Sequence, residues 1–312
     1  MDIGQVVNCV SNMLSTSLAS SSKVSYTRSW SLFRQCMGHL NIPYHGKDSL
    51  PLSINSVLMF IGYLQLRGYA PTSITSYVCA IAYIHKILGM PDPSSSYLVQ
   101  KILAAAVKIN PSADGRLPIT LDILSRLIRA IPSCLTNPYL CSLFRAMCLV
   151  AFFGLMRVGE LTSSDRHSNV LHFNQLHIHL DTISIFISKF KHNADLQPFE
   201  LVLTRQRDVT LCPVTALHSY LSFRGRSGGP LFCLADLEPV PRTYFISKLN
   251  LLFSFCGLDN RFYKSHSFRI GAASFYASMG LSDEHIRLLG RWKSNAFRRY
   301  IRSQRVLATL PK

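Results

Sequence analysis

The chain has 312 residues, 48% of them apolar, with 33 Lys/Arg against 16 Asp/Glu and a formal net charge of +17. That length suits about two domains, and that charge favours a polyanion as partner over a neutral or cationic one. No uncharged apolar run reaches the roughly eighteen residues of a membrane span, the N-terminus has no signal-peptide pattern, and the nine cysteines form no C-x-x-C pair, which together suggest an intracellular chain with buried reduced thiols.

Residues 1–20 are Ser-rich and are expected to be loose. A helix is predicted over about 23–40, where Trp30, Phe33, Met37 and Leu40 recur at helical spacing. Ile54, Val57, Ile61 and Leu64 mark a second, over about 53–67, stopped by Gly68. Ile74, Tyr77, Ile81, Ile84 and Leu88 mark a third, over about 72–88, with Gly89 past its end, and a fourth fits about 95–109. Four amphipathic helices make a small all-helical domain, residues 1–109. Asn110-Pro-Ser-Ala-Asp-Gly-Arg-Leu-Pro118 has no periodicity and reads as a linker.

The second domain, 119–312, opens with helices at about 120–131 and 138–155. Thr182-Ile-Ser-Ile-Phe-Ile-Ser188 and Phe199-Glu-Leu-Val-Leu203 read as paired strands turning at Asn193 and Asp195, with a third strand expected within Leu171–Leu180. Helices return at about 214–223, 242–255, 266–279, 283–289 and 294–303. The fold class is therefore mainly α with a small antiparallel β-sheet.

Basic charge is uneven: residues 1–117 carry +5, 118–312 carry +12, and 261–312 alone hold eleven Lys/Arg against two Asp/Glu. Arg157 lies in Phe153-Gly-Leu-Met-Arg-Val-Gly-Glu-Leu161, flanked by Gly154 and Gly159, which predicts a helix break beside it. Its guanidinium suits two-pronged contact with phosphate; a pairing with Glu160 or Asp165 is the plainer alternative. Lys189 ends a strand entering a hairpin, where an ammonium can reach over a bound backbone and protonate a leaving alkoxide, and Lys191 is a rival for that role. His266 and Arg269 share a helix face near a helix N-terminus, where backbone N–H groups favour phosphate. Tyr300 follows Arg298-Arg299; close cations favour its phenolate and make it a better nucleophile. His285 and the His172/His177/His179 group lack acidic or Cys partners at ligand spacing and are not read as metal sites.

Taken in order, Arg157, Lys189, His266-Ser-Phe-Arg269, Trp292 and Tyr300 resemble the Arg…Lys…His-x-x-Arg…His/Trp…Tyr pattern of the tyrosine recombinase (phage integrase) family. Gly154-Leu-Met-Arg-Val-Gly-Glu-Leu161 and Leu289-Gly-Arg-Trp292 resemble family words too. Cys212-Pro-Val-Thr-Ala-Leu217 and the Gly-Arg-Trp-Lys-Ser string are similar to recombinases of eukaryotic mobile elements of the crypton kind. The resemblance covers nearly the whole chain. It implies a four-helix SAM-like core-binding domain, a linker at 110–118 and an α+β catalytic domain. It implies double-stranded DNA as partner, a homo-tetramer acting on two DNA sites in the nucleus, and strand cleavage and rejoining without metal, ATP or other cofactor. The implied catalytic residues are Arg157, Lys189, His266, Arg269, Trp292 and the nucleophile Tyr300. In the family the His/Trp slot most often lies nine residues before the tyrosine, which is Arg291 here; Trp292 is taken as the occupant, with Arg291 as its competitor. A catalytically inactive DNA-binding derivative of a mobile element is the alternative.

Overall fold

A computed structural model describes residues 2–111, 114–164, 170–188, 190 and 197–301, which form two units divided between Asp114 and Gly115.

Among its described residues the first unit holds five α-helices: α1 (Ile3–Ser17), α2 (Ser20–His39), α3 (Ile54–Leu66), α4 (Pro71–Ile87) and α5 (Tyr97–Ile109). Ser53 and Ser96 cap α3 and α5 by accepting from the N–H groups of Ser56 and Val99, which satisfies donors the first turn leaves open. α4 begins on Pro71, whose fixed φ suits a first helical position. The core gathers Phe33 and Met37 from α2, Val57, Phe60 and Leu64 from α3, Ile74 and Ile81 from α4, and Val99 and Leu103 from α5. Ile54 and Leu88, at the ends of their predicted stripes, are exposed. Residues 3–17 are not loose as expected. Ile3, Val6, Val7, Val10, Met13 and Leu14 recur at helical spacing within the Ser-rich stretch, and α1 follows that period with none of its residues buried.

The second unit begins inside the segment expected as linker. The Leu117 N–H donates to the Phe262 carbonyl (2.9 Å) and the Ile119 N–H to the Ser267 carbonyl (3.0 Å). Then come α6 (Leu121–Cys134), α7 (Pro138–Phe153) and the one-turn α8 (Val158–Leu161). Thr120 caps α6 and Asn137 caps α7. Ten residues of α7 are buried, from Leu143 to Phe153; an apolar surface on all sides marks a central core helix.

Among the described residues, three short strands follow: β1 (Leu176–Ile178), β2 (Thr182–Ile187) and β3 (Phe199–Thr204), antiparallel in the order β1-β2-β3. β2 pairs β3 from Thr182↔Thr204 to Ile187↔Phe199. That register puts Ile183, Ile185 and Ile187 with Leu201 and Leu203 on the buried face, as alternation along a half-buried strand requires. The predicted turn at Asn193 and Asp195 lies outside the described residues. His177 packs against Phe186 across the sheet, with ring centroids 4.7 Å apart.

Four helices follow among the described residues: α9 (Pro213–Arg224), α10 (Arg242–Phe255), α11 (Ser267–Ser278) and α12 (Asp283–Leu289). Tyr300 ends a 3-10 turn, Asn295–Tyr300, in place of the expected α-helix. Among the described residues no helix is long and apolar enough to cross a membrane.

Candidate active site

Three chain reversals in the second unit converge. The first follows α7. Gly154 is in an ordinary conformation (φ −89°), and the residue in the left-handed region is Leu155 (φ +44°). Gly154 is needed for space: a Cβ there would stand 2.7 Å from the Leu201 side chain and 2.8 Å from the Val150 carbonyl oxygen. Two residues on, Arg157 caps α8, its N–H donating to Glu160 Oε2 (2.8 Å). The alternative pairing foreseen for Arg157 is present: Arg157 Nη1 lies 3.3 Å from Glu160 Oε1.

The second reversal leads into α11. His266 is the residue before the helix and Arg269 lies in its first turn, so the two share a face. Arg269 is 1% exposed. Its Nη1 donates to the Leu155 carbonyl and its Nη2 to the Gly290 carbonyl, so one guanidinium ties the first reversal to the third.

The third reversal follows α12, which Ser282 caps and Gly290 ends. Arg291 takes the left-handed region (φ +53°), an uncommon state for a non-glycine residue. Its side chain turns inward to Glu160 Oε2 (2.8 Å), while its neighbour Trp292 turns to Arg269 and Tyr300. The Arg269 guanidinium carbon lies 4.0 Å from the Trp292 ring centroid, in cation–π range. Trp292 stacks on Tyr300 at 5.4 Å and 28°, and the His266 ring lies 5.1 Å from Tyr300.

Tyr300 is fixed from behind. Phe297 is fully buried, Ser274 Oγ on α11 donates to the Tyr300 carbonyl (3.0 Å), and Arg298 pairs with Asp283 at the start of α12 (2.8 Å). Arg157, His266, Arg269, Trp292 and Tyr300 therefore form one connected cluster. Lys189, the sixth predicted residue, and its rival Lys191 lie outside the described residues.

Three arginines around one carboxylate leave the cluster a formal charge of +2. Burial, then the repulsion of Arg157 and Arg291, pulls Arg269 down to about 9; burial likewise lowers Arg291, against the pull of Glu160. Buried cations held below their ordinary range, as Arg269 and Arg291 are, gain from a nearby anion. Two members lay outside the predicted set. Glu160 was visible only as a pairing partner for Arg157. Arg291 was visible as a rival for the slot before Tyr300, but spacing does not show that a left-handed residue sends the two side chains apart.

The chain has 13% identity to lambda integrase in a dimer bound to a COC′ core site, with a TM-score of 0.61 over 100% of this chain and 80% of that one. The Tn1549 transposon integrase in complex with transposon right end DNA gives 10% identity and a TM-score of 0.62, covering 92% and 90%. The chain has the tyrosine-recombinase fold. A lambda integrase tetramer bound to a Holliday junction is similar too, at 14% identity, a TM-score of 0.61 and coverage of 96% and 77%. No protein-family model and no curated protein matches the chain.

Proposed function

We propose that this protein is a site-specific DNA recombinase or integrase that cleaves and rejoins strands through a 3′-phosphotyrosine link. The observation that carries the reading is the Tyr300 phenol lying against His266 and Trp292, with Arg269 against the same indole and Arg157 in the same cluster. A phenol, a cationic cluster and an imidazole are the groups needed to attack a phosphodiester and stabilise its five-coordinate state.

In this reading the Tyr300 oxygen attacks the scissile phosphorus as the phenol proton passes to the His266 imidazole. The bond from phosphorus to the 5′-oxygen breaks, and that oxygen takes a proton from Lys189. Arg157 and Arg269 hold the non-bridging oxygens. Attack by a 5′-hydroxyl of a partner strand reverses the step, and the ester energy kept in the covalent link makes ATP unnecessary. Two double-stranded DNA sites and four copies of the chain form the working complex, consistent with the dimeric and tetrameric DNA complexes of the similar integrases. The words Cys212-Pro-Val-Thr-Ala-Leu217 and Gly290-Arg-Trp-Lys-Ser294 support an origin in a eukaryotic mobile element, and so action in the nucleus.

A second reading, a DNA-binding protein that no longer cuts, draws on one observation: Arg269 is fully buried and spends Nη1 and Nη2 on backbone carbonyls. One experiment separates the two. Nicked suicide duplexes cut from the DNA flanking the coding sequence are incubated with protein, and covalent adducts are resolved on denaturing gels. The recombinase reading expects an adduct that Tyr300→Phe abolishes while DNA binding is kept. An adduct that persists in the variant removes Tyr300 from the role, and binding without any adduct establishes the second reading.

A further inference from the structure

The carboxylate of Glu160 is shared unequally. Arg291 Nη2 holds Oε2 at 2.8 Å with its side chain 1% exposed, whereas Arg157 Nη1 stands 3.3 Å from Oε1 with its side chain 26% exposed. Arg157 also reaches the Arg291 carbonyl, at a long 3.4 Å. The buried arginine therefore holds the tight side-chain ion pair, and the more exposed Arg157 guanidinium makes two loose contacts, although the Arg157 backbone N–H also donates to Oε2 (2.8 Å). Arg291 Nε and Nη1 have no hydrogen-bond partner among the described residues. A buried ion with idle donors contributes less to stability than an apolar side chain of its size would. Packing alone does not account for it.

From this geometry we infer that Arg291 is a positioning residue: by neutralising Glu160 from within, it keeps Arg157 from closing onto that carboxylate and leaves its guanidinium to a phosphate. A phosphate arriving from solvent meets Arg157 first, because Arg291 lies behind Glu160. Without Arg291, Glu160 has Arg157 as its one cationic partner among the described residues. The formal charge of the cluster falls from +2 to +1, and the carboxylate then competes directly with phosphate for the same donors. The left-handed conformation of Arg291 is part of the device. It turns this side chain towards Glu160 while its carbonyl faces Arg157 and Trp292 faces Tyr300.

The inference rests on the phosphate-handling role proposed for the site but needs no attack by Tyr300, so the two can fail separately. Trp292 reports on it directly. The chain has two tryptophans, and in a Trp30→Phe background the emission comes from the one beside Arg269. Inorganic phosphate is titrated at constant ionic strength against this parent and against Arg291→Met, Arg291→Lys, Glu160→Gln and the double variant Arg291→Met/Glu160→Gln. Arg291→Met is expected to weaken phosphate binding about tenfold, the size of one charge-assisted contact. Arg291→Lys, which keeps the charge, and the double variant, which removes the competing carboxylate, are expected to stay within about threefold of the parent on the same scale. Glu160→Gln, with Arg291 intact, should bind at least as tightly as the parent, and it tests the idea even where Arg291→Met does not fold. The inference is overturned if Arg291→Met binds as the parent does, or if the double variant is as weak as Arg291→Met, which would make Arg291 a direct phosphate ligand. A tenfold loss in Glu160→Gln would overturn it as well, because Glu160 would then be holding Arg157 in place.

Discussion

Trp292 touches both a cation and a phenol, so its replacement tests how far the indole sets the position of Tyr300. Cation–π contact with Arg269 is worth about 0.5–2 kcal/mol and stacking adds to it; since 1.4 kcal/mol is tenfold in rate, Trp292→Ala should slow adduct formation about tenfold or more. Trp292→Phe keeps an aromatic face and should retain most of the rate. Single-turnover adduct formation on a suicide duplex measures both, and equal rates for Ala and parent would remove the indole from the chemistry. Gly290 offers an independent route to the same ring. Its backbone is in the right-handed helical region (φ −81°, ψ −4°), which alanine adopts freely, but a Cβ there would overlap the Trp292 ring. Gly290→Ala should therefore displace the indole and slow adduct formation to about the level of Trp292→Ala, with α12 still formed by circular dichroism.

At the scale of elements, α11 carries His266 and Arg269 on one end and seats Tyr300 through Ser274, so its packing governs the site. Its Gly271 lies against the Ile119 backbone, and a Cβ would overlap the Ile119 carbonyl. In an open helix Gly→Ala stabilises by about 1 kcal/mol. Here the sign should reverse, with a loss of about 1–3 kcal/mol typical of overpacking, read from urea unfolding. Elements such as α3 and α4 were legible because a buried stripe writes its period into the sequence, and β2 was legible from its β-branched run. α1 was not, because Ser and Asn between its apolar residues read as a flexible tail. A break beside Arg157 was expected, but the left-handed residues that make the reversals, Leu155 and Arg291, were illegible for a different reason. Both are non-glycine residues in the left-handed region, where tertiary contacts with the arginine cluster override local preference. Chemistry and spacing offered Arg157, His266, Arg269 and Tyr300 as single candidates, and only the resemblance joined them with Lys189 and Trp292 into one set; that Arg291 and Trp292 send their side chains apart could not be read, because it turns on a backbone angle.

For the whole molecule, the relevant quantity is charge that is free to meet a polyanion. Of the net +17, residues 118–312 supply +12. Several acidic residues there are already spent on neighbours: Glu160 on Arg157 and Arg291, Asp181 on Arg205, Asp259 on Arg261, and Asp283 on Arg298. Those pairings leave residues 118–312 with more Lys/Arg than Asp/Glu still to be matched, and phosphate contacts should dominate affinity for DNA. Each neutralised phosphate contributes a slope of about −0.9 to log K against log salt for duplex DNA. A protein whose two units each contribute basic residues should neutralise about six phosphates or more, giving a slope of about −5 or steeper on a random duplex, measured by fluorescence anisotropy between about 50 and 200 mM salt. A slope shallower than about −3 would mean that fewer than about four phosphates are engaged, and the basic excess would then need another partner. Tyr300→Phe removes a hydroxyl and no charge, so it should leave this slope unchanged while abolishing the adduct. That contrast separates the electrostatic grip of the whole chain from the chemistry of one residue.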